Sequence, residues 1–540
     1  MKKQITKAQK WKYRGIALVL IIAIAFLLNY LAMPAWTFQS EGFWLYLSTI
    51  SASAFILFLI SDLASHDKRY IFTKVAGFVT VSILLIWFLA SFPSWKLFNS
   101  SKYRNIISIS NNGNFDQDVP RVQSSQDIPI VDMVTARQLG DRTMGSMENY
   151  LSQYEVDGEY NLITYKGTYY RISPILYGGF FKYLNSKSNG IPGYVLVNIY
   201  TQEATLITLD KPMRYSPSAY FGNLLKRHLR QKYSSYIFGK EQFEIDDEGT
   251  PFYIVPVEKP TAGLFGAHVV DKVILVNAVT GDMEEKSVQD VPTWVDHVFS
   301  VSYLMDRVDW YYGYTNGFWN SVFTKKDVRK TSYSFDESQY YFIAKKDGVY
   351  LYTGITSAGK DESNIGFILA NVRTGQITYY SGPGAEESSA QASAEGVVQQ
   401  FGYKAGPVMI VNIDGVETYF MTLKDNQQLV KKVALVNKKN YTIAVVEDTI
   451  TQAVNSYRAK FSGQADVELT NKEGMISELY TAIKGGDTYF YFKIQGDKVL
   501  YVSSILNNDH QVAMKIGDTI SMEYVLVNDD TAIVNSISIK

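Results

Sequence analysis

The sequence predicts an α+β protein in which three membrane-spanning helices precede a large strand-rich region. Three observations predict it. Uncharged apolar runs fill the first hundred residues, a strand-and-turn pattern recurs four times after them, and five short strand-like runs close the chain.

The first element is the membrane region, residues 1–97. Gly15 to Trp36, Phe43 to Ile60 and Val75 to Trp95 each carry enough apolar residues to cross a hydrocarbon layer roughly 30 Å thick. A cleaved leader is not expected, because the first run lacks a small-x-small cleavage site and two more runs follow it. Lys2, Lys3, Lys7, Lys10, Lys12 and Arg14 precede the first run, whereas no cation lies between Pro34 and Glu41. That bias predicts a cytoplasmic N-terminus and an extracytoplasmic region beyond about Trp95. Trp36, Trp44, Trp87 and Trp95 near the run ends are expected in an interfacial belt.

Residues 98–127 turn polar and read as a linker or stalk leaving the membrane. Residues 128–290 and 291–446 then hold two repeats each. Every copy begins with a Gly-bearing hairpin: YNLITYKGTYYRI from Tyr160, FEIDDEGTPFYIV from Phe243, YYFIAKKDGVYLY from Tyr340 and VMIVNIDGVETYF from Val408. A third strand follows: VLVNIYTQ from Val195, VILVNAVTG from Val273, ILANVRTG from Ile368 and ALVNKKNY from Ala434. Helix-like stretches precede the copies, and in SAYFGNLLKRHLRQKYSSYI Leu224, Leu225, His228 and Leu229 share one side. Each unit is therefore expected to be a helix covering one face of a three-stranded antiparallel sheet.

A helix followed by x-x-D-G-x-x-Y and V-x-V-N-x-x-T-G resembles the PepSY-type unit of metallopeptidase propeptides and bacterial membrane-anchored proteins. Lys166 and Glu248 replace the turn Asp in the first two copies, and Lys438 to Tyr441 replace Thr-Gly in the fourth. Ile128 to Val445 as a whole looks like a family of large, uncharacterised Gram-positive membrane proteins. The first resemblance implies a regulator or inhibitor of an extracellular peptidase; the second implies placement and architecture without an activity.

Residues 447–540 begin with the helix-like TITQAVNSYRAKF. Five strands with turns at Gly485-Gly486, Gln495-Gly496-Asp497, Gly517-Asp518 and Asn528-Asp529-Asp530 then predict an OB-like barrel. From Ala465 onward eleven acids face six bases, the wrong sign for binding phosphates, so nucleic acid is not expected. The whole chain's formal net charge of −1 likewise gives no electrostatic reason for such a partner.

Chemistry is sparse. The chain has no Cys, which excludes disulfides, thiolate catalysis and Cys-ligated metals. Its five His are far apart in sequence, so no helical two-His site exists and neither metal nor cofactor is expected. The run Glu244, Asp246, Asp247, Glu248 lacks a calcium-loop pattern and reads as a solvated turn. Asp296, His297, Asp306 and Asp309 lie near Ser300 and Ser302 but without a nucleophile elbow. Gly382 to Gly396 lacks the Lys-Ser/Thr of a phosphate loop and reads as a helix start after a Pro-Gly turn.

The densest aromatic stretch of the outer region, Asp309 to Phe323, supplies the binding candidates Trp310, Tyr311, Tyr312, Tyr314, Phe318 and Trp319. Aromatics carry large contact area at low entropic cost, so their alternatives are packing between repeats two and three or contact with a glycan or protein. The resulting expectation is a non-catalytic binding or scaffolding protein of the bacterial cell envelope. Its partners would be the lipid bilayer and envelope proteins or glycans. An envelope enzyme with an acidic site assembled from separate repeats is the remaining alternative.

Overall fold

The computed structural model describes residues 6–119, 121–122, 128–145, 152–332, 340–345, 347–358, 364–461, 470–484, 487–505, 509–528 and 530–540. Three helices, α1 (Lys7–Ala32), α2 (Glu41–Ala64) and α3 (Ile71–Ser91), are long and apolar enough to cross a membrane. Their large side chains face outward, Phe26 and Phe78 among the most exposed. Polar groups tie one end of the bundle. Arg14 of α1 donates to Asp67 at 2.7 Å, and Thr73 of α3 donates to Asp62 of α2 at 2.8 Å. Trp44, in the first turn of α2, is buried, and its indole N–H donates to the Phe38 carbonyl at 2.8 Å.

The segment expected to be a stalk is folded where it is described; residues 120 and 123–127 of it lie outside the described residues. Helix α4 (Lys96–Arg104) buries Tyr103, whose hydroxyl donates to the Ser94 carbonyl at 2.7 Å. Strand β1 (Ile109–Ser110) and the single turn α5 (Phe115–Asp118) continue the chain across the third and fourth units. Val122 then donates its N–H to Asn412, which commits this segment to the folded body.

Helix α6 (Met133–Gly145) opens the first unit; the rest of its predicted stretch, residues 146–151, lies outside the described residues. Five strands follow: β2 (Tyr154–Val156), β3 (Asn161–Tyr165), β4 (Thr168–Tyr177), β5 (Ile191–Asn198) and β6 (Ala204–Met213), with α7 (Phe180–Ser186) between β4 and β5. After α8 (Leu225–Lys232) the second unit has β7 (Ile237–Phe238), β8 (Gln242–Ile245), β9 (Pro251–Ala262), β10 (Gly266–Asn277) and β11 (Met283–Ser287). The third follows α9 (Val301–Gly313) with β12 (Arg329–Thr331), β13 (Tyr341–Lys345), β14 (Gly348–Ser357), β15 (Asn364–Asn371) and β16 (Ile377–Gly384). The fourth follows α10 (Glu387–Val397) with β17 (Lys404–Ala405), β18 (Met409–Ile413), β19 (Val416–Lys424), β20 (Val430–Asn437) and β21 (Ala444–Glu447).

All four sheets share one antiparallel plan, which corrects the expected three strands to five. The long strand of each unit pairs with the hairpin strand along its first half and with a two- or three-residue strand along its second. On its other side lie the motif strand and a further strand. The third sheet adds β1 in parallel beside β16.

The runs that lead into each motif Asn are apolar because both of their faces are buried. In β10, Val273 and Leu275 point into one core while Ile274 and Val276 point into another. Val195 and Val197 alternate with Tyr194 and Leu196 in the same way. A strand with period-two side chains between two apolar layers cannot afford a polar face.

Each motif Asn closes the following turn. The side-chain carbonyls of Asn198, Asn277, Asn371 and Asn437 each accept the backbone N–H groups two and three residues on, at 2.8–3.1 Å. In three units the Asn N–H returns to the carbonyl five residues ahead, with Gln202, Gly281 or Gly375 at positive φ. The fourth unit keeps the turn without Thr-Gly by widening it one residue, so Asn437 donates to Ile443.

Helix α11 (Ile450–Phe461) leads to a closed barrel of β22 (Thr470–Lys484), β23 (Asp487–Ile494), β24 (Leu500–Ser504), β25 (Thr519–Asn528) and β26 (Thr531–Ile539). The ring order is first, second, third, fifth, fourth, with β24 and β26 parallel. Gly496 and Gly517 take positive φ at two predicted turns; residues 485–486 and 529 of the others lie outside the described residues.

Candidate functional site

Ser300 caps α9, accepting the Tyr303 N–H at 3.2 Å, and so sets the helix on which the aromatic candidates ride. The helix buries Leu304, Met305, Val308 and Tyr312, placing Trp310 and Tyr314 against Tyr103, Ala262 and Ala267. The Lys96 ammonium lies 4.8 Å over the Trp310 ring and the Arg104 guanidinium 4.8 Å over Tyr311. Cations above these rings make this half of the stretch a joint between α4 and α9. Burial pushes the Tyr312 hydroxyl well above its ordinary pKa and the Lys96 ammonium below its own.

Beyond Gly313 the character changes. Phe318 is half-buried and spans between Tyr314 and Trp319. Trp319 is 60% exposed and stacks on Phe323, itself 72% exposed, with ring centroids 5.6 Å apart and planes 12° from parallel. Phe323 sits on a π-helical turn, Asn320–Thr324. Asn320 fastens that turn, donating its amide to the Lys326 carbonyl at 2.9 Å and accepting the Lys326 N–H at 3.1 Å.

Four of the six candidates are thus packing residues, one is transitional, and Trp319 alone of them is presented to solvent. Phe323 and Val322 were not among the candidates. Their signal was the i,i+4 spacing of Trp319 and Phe323, which puts two rings on one helical face.

The polar residues near Ser300 form no catalytic set. The buried Glu244 carboxylate accepts the backbone N–H groups of Asp296 at 2.7 Å and His297 at 2.6 Å. Asp296 in turn accepts the Thr164 N–H at 2.5 Å, and His297 Nε2–H donates to the Leu162 carbonyl at 2.7 Å. Burial pushes Asp296 up to about 6 and pulls His297 down to about 4, and burial with the neighbouring Asp296 charge raises Glu244 well above the usual carboxylate range. Ser300 is spent on its cap and Asp309 on the Thr331 N–H at 2.8 Å, so no Ser–His–Asp relay is assembled. A cavity of about 70 Å³ beside His297 and Tyr160 belongs to this knot.

Asp246 accepts the N–H groups of Glu248 and Thr250, which fixes the acidic run as a hairpin turn. Among the described residues no cluster of acids and histidines suited to a metal occurs. An open groove of about 680 Å³ lies between the third and fourth sheets, lined by Phe115, Pro383, Glu417 and Lys439. Beneath it Lys438 is buried and paired with Glu417 at 2.7 Å, which makes it a structural cation.

Compared with known proteins, the chain matches no protein family and no curated protein.

Proposed function

We propose that the protein is a membrane-anchored binding or scaffolding protein of the bacterial cell envelope, acting through a surface and not through catalysis. The carrying observation is the Trp319–Phe323 pair, two large rings held outward on a turn that Asn320 makes rigid. A rigid aromatic platform suits the face of a sugar ring or an apolar side chain of a partner protein, since little entropy is lost on contact. On this reading the three apolar helices span the bilayer, the N-terminus is cytoplasmic and the outer region lies beyond the membrane; the cationic N-terminal flank supports it.

The four units are read as PepSY-like and the terminal barrel as OB-like. The shared five-strand plan and the parallel pairing of third and fifth barrel strands support these readings. Photo-crosslinking in cells from a probe at the exposed position 322, carried both by the otherwise wild-type chain and by the double variant Trp319→Ala/Phe323→Ala, tests the function. Adducts to a discrete partner are expected, and the double variant should lose that partner while melting as wild type does. An identical set of captured partners from wild type and double variant would contradict the platform.

A further inference from the structure

Helix α8 stands against the C-terminal end of α1. One guanidinium, that of Arg227, donates to the Tyr30 carbonyl at 2.9 Å and to the Phe221 carbonyl at 2.7 Å. It also lies 3.8 Å over the Tyr30 ring. Arg230 donates to the Met33 carbonyl at 3.1 Å, and Trp36 donates its N–H to Ser234 at 2.9 Å. Tyr30 is in the last turn of α1, so these bonds hold the outer region at the depth where that helix leaves its apolar stretch.

At that depth two features coincide. A cavity of about 200 Å³ opens between the helix end and α8, lined by Tyr30, Met33, Trp36, Arg227, Arg230 and Gln231. Among the described residues neither arginine forms an ion pair, and Arg230 is pulled down to about 10 by burial alone. Beside the cavity, Phe180, Phe181, Tyr220 and Phe221 form an exposed aromatic patch with Phe180 at its centre, 5.1–6.2 Å from the other three rings. Phe181 is 78% exposed, and Phe221 holds its ring out from a backbone at φ 53°, a conformation that residues with a side chain rarely adopt.

We propose that this face lies on the bilayer: the aromatic patch enters the headgroup boundary and the Arg227–Arg230 cavity receives the phosphate of an anionic membrane lipid. The inference rests on the reading that α1 to α3 span the membrane. Rings next to a helix exit find a boundary that is apolar on one side and wet on the other. Two arginines without carboxylate partners match the charge of an anionic headgroup; Arg230 also gives N–H groups to the Tyr233 and Tyr236 carbonyls, and the guanidinium N–H groups left over on each arginine suit phosphate.

The chain contains no Cys, so single-Cys variants can be labelled cleanly. In lipid nanodiscs, fluorophores on Phe181→Cys and, on α3, Phe78→Cys are each quenched by spin-labelled lipid or by aqueous iodide. Lipid quenching at both positions is expected. Lipid quenching at 78 with iodide quenching at 181 overturns the docking and leaves the spanning helices standing; iodide quenching at both overturns the spanning helices as well. For the cavity, replacing about a third of the phosphatidylcholine by phosphatidylglycerol should raise the melting midpoint of the wild type by about 2–4 °C, and not that of Arg227→Gln/Arg230→Gln. No rise in the wild type overturns the headgroup site. The same rise produced by millimolar glycerol phosphate in phosphatidylcholine discs overturns lipid as its source.

Discussion

Asn277 and its three equivalents show how one side chain sets the course of a unit. Its carbonyl collects two N–H groups of the exit turn, which fixes the turn through the Asn itself, and this is why the turn persists at Asn437 where the residues after it change. At the same scale, Glu244, Asp296 and His297 make the junction of three units sensitive to pH. An acid whose folded pKa is raised keeps its proton after the unfolded chain has lost it, so Asp296 contributes most below about pH 4 and loses that contribution as pH rises towards 6. His297 has a lowered folded pKa, so its contribution is present above about 6.5 and is lost as pH falls through about 4. The two slopes oppose each other between pH 4 and 6, each reaching about 1.4 kcal/mol per pH unit. Melting midpoints across that range should therefore tilt downward with pH in His297→Gln, and upward in Asp296→Asn, both relative to wild type. Parallel profiles in the three proteins would show that burial at this junction is not coupled to protonation.

Among the elements, the β9–β10 hairpin carries the docking of the second unit onto the end of α3. Phe265 donates its N–H to Ser94 Oγ at 2.9 Å, and a Cβ on Gly266 would stand 2.3 Å from the Tyr103 hydroxyl and 2.6 Å from the Ser94 carbonyl. Only a residue without a side chain allows that approach. Gly266→Val is expected to force the hairpin off α3, costing about 1–3 kcal/mol by overpacking and speeding proteolysis between Trp95 and Asn105. A variant as resistant as wild type would place the docking elsewhere. The repeated hairpins and motif strands were legible because their glycines, alternating aromatics and Asn-ended apolar runs are local signals. The two- and three-residue strands beside each long strand were not, since a segment such as Lys404–Ala405 holds too few residues for any period. Strand β11, Met283–Ser287, was equally hidden: its MEEKS composition has the polarity of a loop, and pairing with β10 alone makes it a strand.

For the whole molecule, the chain's order in space differs from its order in sequence. Asp132, which caps α6 at the start of the first unit, forms a buried ion pair with Lys424 of the fourth, and β1 joins the sheet of the third. The segment before the repeats thus binds the late units to the early ones, and its polar composition disguised it as a stalk. The contacts that make the candidate sites share this long reach. Arg227 meets Tyr30 across 197 residues, Glu244 meets His297 across 53, and Lys96 meets Trp310 from an adjoining helix. Residue type announced an aromatic cluster between Asp309 and Phe323, for packing or for contact with a partner, but only the packing of α9 separates its four packed residues from the exposed Trp319. On the proposed reading this body stands outside the membrane on three spanning helices. Labelling intact cells with an impermeant maleimide tests it most directly, using Lys404→Cys in the fourth unit and Lys7→Cys at the start of α1. Label at 404 in intact cells, with label at 7 only after permeabilisation, is the predicted result; the reverse pattern would contradict it.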